Sequence, residues 1–132
     1  MDGAMIVDPT FLIDLEREIA GGQTGPAMEF LAGHTAETMR ISVITFGELA
    51  EGYEDSASAA LDELIAPYGI IDIRQSVARR HAAISRSLRS SGDRWGDNDV
   101  WIGATAIEAN EPLVTRDRDH FSRISGLTVL GY

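Results

Sequence analysis

Short apolar runs alternate along the chain with longer stretches in which apolar residues recur every three or four positions. Met5-Ile6-Val7 is the first run, and it reads as a buried strand. Asp8 and Pro9 end it and start a helical pattern in which Phe11, Leu12, Leu15 and Ile19 share a face until Gly21-Gly22. After Gly25-Pro26 a second amphipathic stretch carries Met28, Phe30 and Leu31 to about Gly33-His34. Residues 39–44, rich in β-branched side chains, predict a strand broken at Thr45. Thr45-Phe46-Gly47-Glu48 has the Thr-x-x-Glu form of a capping box, opening a helix that runs to about Tyr53 and giving Glu48 a structural task. Glu54-Asp55-Ser56 links it to a helix holding Leu61, Leu64 and Ile65, which Pro67-Tyr68-Gly69 stops. A short strand follows over 70–73. From Ser76 to Ser90, Val77, His81, Ile84 and Leu88 form the stripe of a long helix expected to lie on the sheet. A loop over 91–96 leads to a helix starting near Asp97, with Val100, Gly103, Ala104 and Ile107 on one face. Asn110 and Pro112 end it, Leu113-Val114-Thr115 makes another strand, and Leu127 to Leu130 a last edge strand.

Strands alternating with helices through short links predict an α/β fold: a three-layer α/β/α sandwich around a mostly parallel central sheet. The 132 residues are expected to form one domain over 1–132. No run of about 18 apolar residues offers a membrane span. Cysteine is absent, which removes disulfides, thiolate zinc sites and thiol nucleophiles, and makes an intracellular, cytoplasmic location the default expectation. The formal charge of −10 argues against non-specific nucleic-acid binding by net field. All 11 basic residues are Arg, which sets a coding bias and a solvated face against a set of phosphate forks.

Four acids then change the picture. Asp8, Glu48, Asp99 and Asp117 each follow a strand or loop and stand at a helix start, where capping and the helix dipole alone would favour an acid. In a parallel sheet, however, Asp8 and Asp117 open on one edge, and helices can bring Glu48 and Asp99 there. Carboxylates so gathered repel each other, and the chain has no Lys to offset them, so a cation is their natural partner. Oxygen ligands select a hard ion, Mg²⁺ or Mn²⁺. A receiver domain would need a Lys, and a dehalogenase-type phosphatase an Asp where Thr10 stands. An interaction module whose acids are only caps is the remaining alternative.

Residues 6–14, 42–49, 99–106 and 113–119 together resemble the four signature blocks of PIN-domain ribonucleases, especially VapC-type toxins, in order and spacing. The resemblance implies that Asp8, Glu48, Asp99 and Asp117 form an acidic, catalytic metal-binding cluster. It places Thr10 close to the site and Thr115 in support of the fourth acid. Asp97 is expected to cap its helix, Asp119 to cap or to support the cluster, and Asp14 to lie on a solvated face. Pro9 and Gly103 depart from the family's usual residues without touching a ligand. The implied activity is Mg²⁺- or Mn²⁺-dependent cleavage of RNA phosphodiesters by an endoribonuclease, leaving a 5′ phosphate. Implied partners are RNA, a VapB-type antitoxin protein and a second copy in a homodimer, with the first helices as the dimer face. His81 reads as a satisfied core histidine, and His120 as a neighbour of Asp117. Trp95 and Trp101 are read as packing or stacking rings, Arg116 and Arg118 as phosphate forks or counter-ions.

Overall fold

The computed structural model describes residues 3–55, 57–93 and 95–132; Met1, Asp2, Ser56 of the polar link and Arg94 of the loop lie outside the described residues. In chain order the elements are β1 (Ala4–Val7), α1 (Pro9–Gly21), α2 (Pro26–Gly33), β2 (Thr38–Ser42), α3 (Val43–Glu51), α4 (Ala59–Ile65) and β3 (Gly69–Ile71). They continue with α5 (Gln75–Ser90), α6 (Asp97–Ala109), β4 (Leu113–Val114), α7 (Arg118–Phe121) and β5 (Val129–Leu130). The strands form one sheet in the order β3-β2-β1-β4-β5, and every neighbouring pair is parallel.

Alternation along β1 divides the core. Met5 and Val7 pack with Phe11, Leu12 and Leu15 of α1, Ala27 of α2, Leu49 of α3 and Leu61 of α4. Ile6 points the other way, into a cluster with Val77, Ile84 and Leu88 of α5, Val100, Ile102 and Ala104 of α6, and Phe121 of α7. Period-two side chains on a strand buried on both faces require a helical layer on each. The α/β/α sandwich follows from that.

The order of strands fixes where a ligand fits. From β1 the chain moves outward to β2 and β3, then returns past β1 to β4 and β5, so the winding direction reverses between β1 and β4. Beyond the carboxyl ends of such a strand pair a crevice opens between the diverging helices. Asp8 immediately follows β1, and Asp117 lies three residues past β4.

Two local devices hold the first layer. Gly22 ends α1 at φ 67°, in the left-handed region that glycine enters without strain. The start of α2 has no side-chain cap of its own. Glu18 of α1 replaces it, accepting from the backbone N–H groups of Gly25 (3.0 Å), Ala27 (3.0 Å) and Met28 (2.9 Å). Glu18→Ala leaves three helix-start donors without that acceptor and is expected to cost about 1–3 kcal/mol, read as a lowered urea midpoint with unchanged slope.

Expected elements differ from observed ones mainly in α3, described below. The long helix α5 packs chiefly on α6 rather than on the sheet. Gly103 of α6 allows a close approach, but to Ile124: a Cβ there would stand 2.7 Å from Ile124 Cδ1.

Candidate active site

Asp8 is built into the end of β1. Pro9 begins α1, and Asp8 at φ −85°, ψ 169° caps it, with Oδ1 accepting from Phe11 N at 3.1 Å. Thr10 Oγ1 donates to the same oxygen at 2.7 Å, and Thr115 Oγ1 donates to Oδ2 at 2.6 Å. Only 3% of Asp8 is exposed. Burial raises its affinity for a proton; the bonds from Thr115, Thr10 and Phe11 oppose that rise, and the negative charge of Asp99 adds to it. Asp8 is therefore both a cap and a carboxylate under electrostatic strain.

Register explains Thr115. Val7 of β1 pairs with Val114 of β4, and Asp8 N donates to Val114 O at 3.1 Å, so the next residue of each strand meets the other. The Thr115 hydroxyl, fully buried, donates to Asp8 and accepts from Asp117 N at 3.0 Å. One side chain thus ties the first acid to the backbone of the fourth. Asp117 itself is exposed at the start of α7, and its side chain makes no cap bond.

Glu48 corrects the capping-box expectation. Helix α3 begins at Val43, capped by Ser42, whose Oγ accepts from Ile44 N at 3.1 Å. The β-branched Val43 and Ile44 read as strand because they are strand formers, yet the serine supplies the turn before them and Ile44 packs into the second core cluster. Thr45 is consequently interior, fully buried, and its hydroxyl has no partner among the described residues. Contrary to the expectation of a helix opening, Glu48 lies most of two turns into α3. With no cap to serve, its carboxylate reaches Asn98 of α6, whose Nδ2 donates to Oε1 at 2.7 Å. Burial raises the Glu48 proton affinity, the Asn98 bond lowers it, and Asp99, Asp8 and Glu51 raise it further.

Asp99 stands in the first turn of α6, its side chain 42% exposed, with Oδ2 3.1 Å from His120 Nε2. The His120 ring stacks on Trp95, centroids 3.7 Å apart and planes at 21°. Asp97, expected to cap α6, does not: it is the first helical residue, and Gly96 occupies the cap position. Asp119 is exposed in the first turn of α7.

The charge of Asp99 thus bears on Asp8, and those of Asp99 and Asp8 on Glu48, whereas Asp117 is tied to this group only by its backbone N–H, through Thr115, with its side chain exposed. As the side chains stand, no three acids or histidines among the described residues converge closely enough to hold an ion. The chemistry of the donor set nevertheless suits a hard divalent cation: oxygen donors only, repelling one another, one of them buried.

Pattern reading missed several partners, because contacts across 20 to 120 positions leave no local periodicity. His120, close to Asp117 in sequence, bonds Asp99. Asp14 is not on a solvated face: it accepts from Arg116 Nη1 at 2.9 and 3.0 Å and from the Tyr132 hydroxyl at 2.7 Å. Burial, then the bond to Asp14, pushes the Tyr132 phenol far above its ordinary range. Arg116 is accordingly a counter-ion of Asp14. His81 is not satisfied: its ring stacks on Trp101 at 3.9 Å, and its Nε2 is buried without a partner among the described residues.

Fold and site together define an α/β domain with acidic residues at the switch point of a parallel sheet. The chain belongs to the PIN-domain family, whose model matches residues 5–127. It is similar to ribonuclease VapC1 of Haemophilus influenzae (strain R2866), 28% identical over 93 residues that span 66% of this chain and 69% of the relative. Ribonuclease VapC1 of Methanocaldococcus jannaschii is 28% identical over 124 residues, 93% of this chain and 82% of the relative. Among solved structures, VapBC2 from Rickettsia felis bound to a promoter DNA fragment superposes with a TM-score of 0.80 at 23% identity, covering 98% of each chain.

Proposed function

We propose that the protein is an Mg²⁺- or Mn²⁺-dependent endoribonuclease toxin of the VapC type, held in check by a cognate antitoxin. The observation that carries this reading is Asp8, buried at the switch point of the sheet with both carboxylate oxygens held by Thr10, Thr115 and Phe11 N, and lying within the field of a second acid, Asp99. Ribonuclease VapC relatives and a VapBC neighbour supply the reaction class and the partner.

Asp8, Glu48, Asp99 and Asp117 are the residues that would hold the cation. An ion held there would supply positive charge to offset the negative charge developing on the phosphate and the departing 3′ oxygen. The chain's own groups do the rest. Thr10 and Thr115 hold both oxygens of Asp8 in one orientation, so no reorganisation is required when substrate arrives. One of the cluster acids takes the proton from the attacking water at a carboxylate oxygen, and Asn98 holds Glu48 in place through Oε1. His120 fixes the side chain of Asp99.

Sequencing of RNA ends after incubation of the purified chain, beside Asp99→Asn, tests this directly. Cleavage that leaves 5′ phosphates, stops in EDTA and returns with Mg²⁺ or Mn²⁺ is expected from the parent only. Equal cleavage by Asp99→Asn overturns the reading.

An apolar groove of about 540 Å³ between α1, α2 and α4, floored by Leu15, Leu31 and Leu64 and rimmed by Glu16, Glu37 and Glu63, suits a basic amphipathic segment of the antitoxin. Leu64→Arg is expected to weaken antitoxin binding by at least about 10-fold in a titration, with RNA cleavage unchanged. Ile13, 40% exposed on α1, offers apolar surface for the proposed homodimer. No helix among the described residues is long and apolar enough to cross a membrane, and a toxin acting on RNA works in the cytoplasm.

A further inference from the structure

A second cavity, of about 700 Å³, lies between the last turns of α5, the loop before α6 and the first turn of α6. That volume is in the range of small-ligand sites. Leu88 and Val100 give it apolar walls, Trp95 a flat aromatic one, and Arg89, Asp93 and Asp97 a polar margin. Asp93 is engaged by Arg123, Nη1 to Oδ1 at 3.1 Å. The cavity abuts the acidic crevice through two short links. Trp95 stacks on His120, which binds Asp99, and Asp97 precedes Asp99 by two residues on the same helix.

We infer that this cavity is a nucleobase subsite, which takes an amino-bearing base of single-stranded RNA, guanine best, splayed out beside the scissile phosphate. The inference rests on the ribonuclease reading above and deepens it. Bases leave a single strand readily, stack on aromatic rings and are read along their Watson–Crick edges. Here the Trp95 ring supplies the stacking surface. The carboxylate of Asp97 can only accept hydrogen bonds, so it selects an edge rich in N–H donors. Guanine presents its ring N–H and amino group side by side, matching the two oxygens of one carboxylate. Adenine and cytosine present an amino group alone. Uracil presents one N–H between two carbonyls, whose oxygens face the carboxylate unfavourably.

Both tryptophans of the chain report on this place: Trp95 lines the cavity, and Trp101 stacks on His81, which also lines it. Tryptophan fluorescence is therefore titrated with guanosine, adenosine, cytidine and uridine in EDTA, using nucleosides so that neither metal nor phosphate contributes. Guanosine is expected to quench with an affinity at least about 10-fold above that of uridine, the discrimination of one good bidentate edge contact. Asp97→Asn is expected to abolish that preference, and Glu29→Gln, which removes an exposed charge from α2, to retain it. No quenching by any nucleoside, equal response to all four, or an unaltered preference in Asp97→Asn overturns the subsite. Because the titration requires no cleavage, failure of the ribonuclease reading shows separately, as RNA ends that do not depend on Asp99. Where the parent does cleave, Asp97→Asn is expected to relax the base preference at one position flanking the cut, and an unchanged preference counts against the subsite.

Discussion

Asp8→Asn is expected to eliminate RNA cleavage while making the metal-free chain more resistant to heat. The amide keeps the side chain's shape, and its oxygen can still accept from Phe11 N and Thr10. Its new N–H group faces Thr115 Oγ1, a hydroxyl with a spare lone pair even after accepting from Asp117 N. What is lost is one negative charge inside a crevice whose proton affinity is already raised by burial and by Asp99. Activity should fall by about 10³-fold, the upper range for deleting one preorganised electrostatic partner. Stability should move the other way, since a buried carboxylate beside like charges is a cost that function imposes. Each kcal/mol relieved is worth about 4 °C in Tm for a chain of this size.

The pH dependence has a definite sign. A carboxylate whose folded-state pKa lies above its unfolded value binds its proton more tightly in the folded chain. Its stabilising contribution is complete below the unfolded value and is lost as pH rises through the folded one. In EDTA the advantage of Asp8→Asn over the parent should therefore be largest near neutrality and shrink as pH falls through the raised pKa of Asp8. Calorimetric melts of both proteins between mildly acid and neutral pH check it.

Thr115→Val gives the second large effect. The replacement is nearly isosteric, so packing at the end of β4 is kept, but the hydroxyl that donates to Asp8 and accepts from Asp117 N is gone. Removing a partner that orients an active-site carboxylate typically costs about 10–100-fold in activity. The loss should fall on kcat more than on KM, because Thr115 is buried and cannot touch RNA. Thr115→Ser, which restores the hydroxyl, should recover most of it. A parallel loss in Thr115→Ser would assign the effect to packing instead.

Much of this arrangement was legible before any coordinates. A continuous apolar run located β1, which is buried on both faces, and period-3.6 patterns located α1, α5 and α6, because each helix buries one face against a defined layer and the period survives in sequence. Asp8 was legible for the same reason, being the acid where the run stops and the helical period begins. Local chemistry misled at two places. Val43 and Ile44 favour strand by themselves, yet Ser42 turns the chain before them, and only tertiary packing decides between the two. Thr45 and Glu48 satisfy a capping spacing, but with the helix begun two residues earlier the motif is an accident of spacing. Asp14 looked solvated because its partners, Arg116 and Tyr132, are more than 100 positions away. Distant pairs of this kind are invisible to any window along the chain.

The proposed activity of this chain requires that the scattered acids share one divalent ion. Titration calorimetry of the parent with Mn²⁺, without RNA, against Asp8→Asn and Asp99→Asn addresses it most directly. Saturable binding by the parent that weakens at least about 10-fold in both variants is the predicted result. Binding that is absent from the parent, or that persists unchanged in either variant, would contradict it.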